Sequence, residues 1–117
     1  MAESKLRDLS LDFSVSIVNI CREIKGSSVL INQLLRSGTS IGANIYEANY
    51  AQSRPDFISK LQIALKECYE TEYWLHLFEK TALMATEQST ALRNQCGTIR
   101  RLLIASVNTA KGNNDKH

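Results

Sequence analysis

The stretch Arg36-Ser-Gly-Thr-Ser-Ile-Gly-Ala-Asn-Ile-Tyr-Glu-Ala48 decides the fold, because it places small residues in the middle of a long predicted helix. Glycine costs about 1 kcal/mol relative to alanine inside a helix. Gly38 and Gly42 therefore indicate that another backbone comes close, or that a helix terminus lies there. Together with Ala43, they predict close packing of this helix against a neighbour.

A polar stripe runs beside these small residues on the same predicted helix. Its members follow one another at steps of three or four, and they are Arg36, Ser40, Asn44 and Glu47. A buried charge without a partner costs several kcal/mol. We therefore expect Arg36, Asn44 and Glu47 to satisfy one another, or to meet Glu67 and Glu70 on the next helix. Such a buried polar network would fix helix register or a subunit seam.

Length and composition are those of one globular domain. A chain of 117 residues can bury roughly two-thirds of its unfolded surface without disulfides or metals. The net charge of +2 is too weak to establish nucleic-acid binding by itself. No apolar run approaches the about 20 residues that a membrane span needs, and no signal-peptide pattern opens the chain. A cytoplasmic protein without a membrane partner is expected.

Four segments have the apolar periodicity of helices, and they cover residues 4–25, 28–51, 53–80 and a stretch that starts near 86. The third opens with a capping serine, and an acidic residue follows three positions later. Connections of about two to six residues force antiparallel neighbours. The sequence therefore predicts an all-α, antiparallel up-down-up-down four-helix bundle over residues 1–110. Residues 111–117 are polar and terminal, which predicts a disordered tail.

The chain lacks the residue sets of metal centres and catalytic sites. A di-iron bundle needs two Glu-x-x-His pairs, whereas the single internal histidine, His76, follows Glu72 by four positions. Cys21, Cys68 and Cys96 show no C-x-x-C spacing and fall on apolar stripes, so they should be reduced core residues. We expect no enzymatic activity, no metal and no cofactor.

Basic and aromatic residues leave two interpretations open. Arg93, Arg100 and Arg101 fall on one side of the fourth helix, which is typical of a phosphate contact surface and also of an ordinary solvated face. Five rings lie off the main apolar stripes, which indicates either a protein interface or partial burial at helix edges. They are Tyr46, Tyr50, Tyr69, Tyr73 and Trp74.

The pattern of an arginine, Ser-Ile, Asn-Ile-x-Glu-Ala and then Asp-Phe resembles a known family of four-helix bundles. That family is named after the protein encoded in bacterial large-subunit ribosomal RNA intervening sequences, and it includes the accessory variability protein of diversity-generating retroelements. The resemblance implies a ring-shaped homopentamer, with nucleic acid and a reverse transcriptase as partners of the accessory proteins. The family's typical positions correspond here to Arg36, Ser40, Asn44, Glu47, Asp56 and Phe57. A short Gly26-Ser-Ser connection replaces the family's longer tyrosine-bearing loop.

Two functions follow from these observations. The first is a non-enzymatic oligomeric adaptor or scaffold that binds RNA or DNA through a basic surface, together with a protein partner such as a reverse transcriptase. The second is a structural protein-interaction module with no nucleic-acid role.

Overall fold

Four α-helices form nearly all of the described chain. The computed structural model describes residues 2–115, and the side chains of residues 4–112. The helices are α1 (Ala2–Glu23), α2 (Ser28–Ala48), α3 (Arg54–Lys80) and α4 (Thr86–Asp115). Each packs on the next, and α4 closes the bundle with a smaller contact to α1. The predicted all-α four-helix bundle is confirmed, and residues 2–115 contain no strand.

All four helices contribute to one apolar core along the bundle axis. Its largest fully buried apolar side chains are Leu6, Phe13, Ile17, Leu34, Ile41, Leu75, Phe78, Ile99 and Leu103. Complete burial of a side chain of this size stabilises the fold by about 1.5–3 kcal/mol. Because these residues recur at helical spacing, the core fixes which face of each helix is left for solvent.

Hydrogen bonds in the turn between α2 and α3 explain where α2 ends and where α3 begins. The Ser53 hydroxyl accepts a hydrogen bond from the Asp56 amide at 3.2 Å, and the Asp56 carboxylate accepts one from the Gln52 amide at 3.2 Å. The predicted cap is thus present. At the other side of the turn, α2 ends at Ala48 rather than at Ala51, because the amides beyond it bond to carbonyls three residues back and tighten the chain into the turn.

The first and last helices also differ from the predicted segments. Helix α1 ends at Glu23, short of the predicted Lys25, because Ser27 leaves the helical conformation and caps α2. Helix α4 continues to Asp115, past the predicted domain end at residue 110. Residues 116 and 117 of the predicted tail lie outside the described residues. None of the described helices is long and apolar enough to cross a membrane.

The three cysteines are free thiols. Cys68 and Cys96 are buried in the core as predicted, whereas Cys21 is only half-buried. Burial raises the pKa of Cys21 to about 11. Hydrogen bonding with Cys68, together with burial, also raises the pKa of Cys96. Both thiols are therefore protonated, and poorly nucleophilic, at neutral pH.

Candidate interaction surface on the third helix

Close packing in the glycine-bearing stretch brings α2 against α1. A Cβ atom added at Gly38 would lie 2.9 Å from two side-chain carbons of Ile17, and one added at Gly42 would lie 3.3 Å from the backbone oxygen of Ser10. Both glycines therefore occupy positions where a side chain would meet the neighbouring helix. Ala43 is exposed and lies beside this contact rather than in it, so the close packing predicted for Ala43 does not occur within the subunit.

Arg36 pairs with α3 as the sequence suggested, but at the surface. Its guanidinium donates to Glu67 at 3.4 Å and also to Glu70. The Arg36 side chain is 48% exposed, which corrects the expectation of a buried network. Hydrogen bonding to Glu70 raises the pKa of Arg36, which therefore remains cationic.

Among the other members of the predicted polar network, Glu47 pairs with α3, whereas Asn44 and Ser40 bond to backbone carbonyls within α2. Glu47, with a side chain that is 56% exposed, pairs with Lys60 at 3.0 Å. The Asn44 amide donates to the Ser40 carbonyl at 2.9 Å, and the Ser40 hydroxyl donates to the Arg36 carbonyl at 2.6 Å. The expected mutual pairing is absent because Arg36 and Glu47 are about three helical turns apart, roughly 16 Å along the axis.

Glu70 connects this surface pair to the aromatic residues of α3. Its carboxylate accepts a hydrogen bond from the Trp74 indole nitrogen at 3.0 Å, in addition to the bond from Arg36. The Trp74 hydrogen bond, with further help from Arg36 and the charge of Lys66, lowers the pKa of Glu70. The Trp74 ring in turn meets Tyr73 edge-on, with centroids 5.0 Å apart.

On the opposite edge of α3, two of the three α4 arginines form ion pairs with α3. Arg93 pairs with Glu79 at 2.7 Å, and Arg100 pairs with Glu72 at 2.8 Å. Both guanidinium groups are thus turned towards α3. Arg101 is more exposed, and it donates to the Thr98 hydroxyl at 3.3 Å. Phosphate contact by the three arginines stays a prediction, and the charges of Arg93 and Arg100 are already balanced within the subunit.

Between these two edges lies the outward face of α3, which we call the α3 ridge. It consists of the exposed residues Lys66, Tyr69, Tyr73, His76 and Lys80. They follow one another at steps of three and four, so their side chains share one face of the helix. In the part of the chain that the structure describes, no carboxylate lies within 4.0 Å of either ridge lysine.

The sequence contains a signal for the α3 ridge beyond the off-core position of Tyr69 and Tyr73. Lys66 and Lys80 follow the same three- and four-residue steps, which align them with the rings on one face of α3. Whether the nearby glutamates cancel the positive charge of that face depends on their own ion-pair partners. The sequence does not identify those partners.

A second exposed surface lies between α1 and α2, and we call it the α1–α2 groove. It has a volume of about 340 Å³, and its walls include Leu11, Ser14, Gly42, Ala43 and Tyr46. Leu11, Val15 and Tyr46 are large apolar or aromatic residues exposed on this side of the subunit. Tyr46 also contacts Tyr50, with ring centroids 5.3 Å apart. A groove of this character suits another protein surface better than a polar ligand.

The described side chains form no metal-binding cluster, and a further groove of the subunit contains Arg54 as its one ionisable residue. Among residues 2–115, no group of three or more His, Cys, Asp or Glu side chains is placed to hold a metal ion. A larger groove of about 630 Å³ lies between the α2–α3 turn and α4, around Phe57 and Leu102. Its lining contains no histidine, cysteine or carboxylate, so it offers no general base.

Comparison with known proteins identifies a family and a similar solved structure. A family model described as 23S rRNA-intervening sequence protein matches residues 2–105. The chain is also similar to a crystal structure of a protein of unknown function from the S23 ribosomal protein family of Bacteroides thetaiotaomicron VPI-5482. The two are 48% identical, the match covers 92% of this chain and 99% of that chain, and the TM-score is 0.89. No curated protein matches the chain.

Proposed function

The chain belongs to the 23S rRNA-intervening sequence protein family, and we propose that it acts as a non-enzymatic oligomeric adaptor that binds RNA or DNA. The α3 ridge is the observation that carries this proposal. Phosphate groups are bound by lysine and arginine side chains that remain available in the folded protein. Lys66 and Lys80 meet this requirement, because each is exposed and has no carboxylate within 4.0 Å among the described side chains.

The ion pairs at the two edges of α3 support this role by removing negative charge from the ridge. Arg36 neutralises Glu67 and Glu70 on the α2 side. Arg100 and Arg93 neutralise the acidic residues on the α4 side. The overall charge of +2 therefore understates the local positive potential of the ridge. Arg101 is the one residue of the predicted α4 stripe that could add to it.

The oligomeric part of the proposal is supported by the α1–α2 groove and by the family resemblance. An exposed apolar surface with small residues at its floor is suited to contact with another subunit. The resemblance implies a ring-shaped homopentamer, in which every subunit would present the same ridge. Repetition of a weak cationic site in one assembly strengthens binding through effective concentration. Resemblance to the retroelement accessory proteins makes a reverse transcriptase the protein partner that we would test first. We place this interaction in the cytoplasm.

The alternative is a protein-interaction module without a nucleic-acid role. The exposed rings of Tyr46 and Tyr50 and the near-neutral composition favour it. Purification of complexes from cells after nuclease treatment separates the two functions. A complex held together only by protein contacts would survive this treatment, whereas one bridged by nucleic acid would dissociate.

Mobility shifts with an RNA of about 30 nucleotides, and with the matching DNA, test the adaptor proposal at salt concentrations of about 50 and 200 mM. We expect binding that weakens as the salt concentration rises. The double variant Lys66→Glu/Lys80→Glu should lose most of the affinity. In the matched control, Lys5→Glu/Lys25→Glu, the same charge is changed on exposed α1 and linker positions, and binding should be largely retained. No binding at low salt, or equal losses in both variants, would refute the proposed role of the ridge.

A further inference from the structure

We infer that the α3 ridge binds single-stranded nucleic acid by stacking bases on Tyr69 and Tyr73. This inference rests on the proposed function. It adds that the ligand is single-stranded and that two tyrosines contact its bases. The two rings are 53% and 60% exposed. They are four residues apart on one helix face, about 6 Å along the axis. Ring faces at this spacing, with a lysine beyond each end, form a cationic platform with two stacking positions.

Both rings are held by neighbouring side chains and are still more than half exposed, which gives the platform a defined geometry. The Arg100 guanidinium lies over the Tyr69 ring, 5.6 Å from its centroid, and is held there by Glu72. Tyr73 contacts the edge of Trp74, whose indole nitrogen is bound by Glu70. The ion pairs at the two edges of α3 therefore also position the rings. Rings that are already ordered lose less conformational entropy on binding than freely rotating ones do.

Charge on the ridge favours nucleic acid over a protein as the occupant. Lysine is depleted in protein interfaces, yet Lys66 and Lys80 flank the rings, and the ridge itself carries no acidic residue. Exposed rings between cations are the arrangement that single-strand-binding surfaces use, with the cations on the phosphates and the rings on the bases. The ligand is therefore complementary to the ridge in both charge and shape.

Stacking also distinguishes a single strand from a duplex. In a duplex the base faces are covered by neighbouring bases, so that only phosphates and base edges are available to a convex helix surface. Unpaired bases can leave their own stack and lie on a ring. Each base stacked on an aromatic side chain is worth about 5-fold to 150-fold in affinity. Loss of both rings should therefore weaken single-strand binding strongly and duplex binding little.

The decisive comparison is between the variant Tyr69→Leu/Tyr73→Leu and the control Tyr50→Leu, which removes an exposed ring at the end of α2, outside the α1–α2 groove. Affinity is measured for one labelled single strand and for its duplex, with circular dichroism to verify folding. We expect the ridge variant to bind the single strand at least about 10-fold more weakly, with an unchanged salt slope and an unchanged duplex affinity. The control should behave as the wild type. The variant Tyr69→Phe/Tyr73→Phe keeps the rings and should keep the affinity.

Fluorescence offers an independent readout, because Trp74 is the only tryptophan and touches Tyr73. Addition of the single strand should change its emission in the wild type but not in Tyr69→Leu/Tyr73→Leu. Equal binding of single strand and duplex, with no effect of the leucine variants, would overturn the stacking inference and leave the adaptor proposal standing. Greater loss in the α2 control would also overturn it. Absence of any binding would remove both.

Discussion

Gly38 allows α1 to pack closely on α2, because it has no side chain at their contact. It lies in the middle of α2, where glycine is unfavourable for the helix, and opposite the fully buried Ile17. The lost helix propensity is compensated by contact between the two helices over a short distance. Gly42, one turn later, has the same role opposite Ser10 and Ser14.

Substitution of Gly38 tests this contact. Alanine would gain about 1 kcal/mol of helix propensity, but its Cβ would lie 2.9 Å from two carbons of Ile17. Overpacking of a filled core costs typically about 1–3 kcal/mol. We therefore expect Gly38→Ala to lower the free energy of unfolding in urea, and Gly38→Val to lower it further. Gly112→Ala is the control, because no atom lies within 4 Å of the added carbon. A more stable Gly38→Ala protein would contradict the close approach.

Glu70 should make the stability of the protein depend on pH in the acidic range. Its folded-state pKa lies below the ordinary value of 4.5, because the Trp74 indole and Arg36 stabilise the carboxylate. A lowered pKa contributes stability above the unfolded-state value, and this contribution is lost as the pH falls through the folded-state value. Since the side chain is partly exposed, the effect should be small.

Urea unfolding of the wild type and of Glu70→Gln, at about pH 7 and about pH 3, measures this contribution. The wild type should be the more stable protein at neutral pH, and the difference should shrink at the lower pH. Gln95→Ala, at an exposed position of α4, is the control; it changes no ionisable group, so its difference from the wild type should be the same at both pH values. A gap between wild type and Glu70→Gln that grows on acidification would show that the carboxylate is not stabilised in the fold.

Helix α3 combines a buried face with two paired edges and one open face. Its buried residues face the core, whereas its glutamates face α2 and α4 and meet arginines there. Surface ion pairs of this kind are typically worth only about 0–1 kcal/mol each. We therefore attribute the stability of α3 mainly to its apolar face. The ion pairs instead affect the α3 ridge, because they position its rings and neutralise the carboxylates at its edges.

Ala82, just after the end of α3, has a backbone conformation that lowers the stability of the protein. Ala82 has a φ of 61°, and the Leu83 amide bonds back to the Phe78 carbonyl at 2.9 Å. This left-handed position after a helix normally holds glycine, since a Cβ atom costs roughly 1–2 kcal/mol there. Ala82→Gly should therefore raise the melting temperature. Ala91→Gly, at an exposed position within α4, should lower it through lost helix propensity. A lower melting temperature for Ala82→Gly would argue against this conformation.

At the scale of the whole molecule, the subunit has two exposed surfaces with different chemistry. It measures 51 × 23 × 21 Å. The α1–α2 groove is mainly apolar, although its lining also includes Arg7 and Asp8, and the α3 ridge is cationic and aromatic. Since α1 and α3 are separated by α2 and α4 in the bundle, one surface could bind a neighbouring subunit while the other remains accessible. Such a division is what an oligomeric adaptor requires.

Lysine substitutions in the α1–α2 groove test whether it forms a subunit contact. Leu11 and Val15 are exposed in the isolated subunit, so Leu11→Lys/Val15→Lys should not disturb the core. Light scattering should find an oligomer for the wild type and smaller particles for this variant, because a charge buried in an interface is destabilising. The control, Thr90→Lys/Asn94→Lys, adds the same charge on exposed α4 positions and should assemble normally. A monomeric wild type would exclude self-association through this groove.

The four helices, the cap at Ser53 and the close contact at Gly38 and Gly42 could all be predicted from the sequence. These features follow from local rules, namely helical periodicity, capping chemistry and the unfavourable placement of glycine in a helix. The sequence also offered Glu67 and Glu70 on α3 as one of two possible sets of partners for Arg36, because an arginine beside a core stripe needs a carboxylate nearby. Local rules were sufficient wherever the deciding contacts lie within one helix or between adjacent stripes.

Only the tertiary structure decided which charges remain available at the surface. Arg93 and Arg100 look like an open basic stripe in the sequence, but the rotation of α4 brings them to Glu79 and Glu72 on α3. The same rotations leave Lys66 and Lys80 without a carboxylate partner among the described side chains. Whether a charged side chain is neutralised depends on distances between helices that are far apart in the sequence, and packing of the shared core sets those distances.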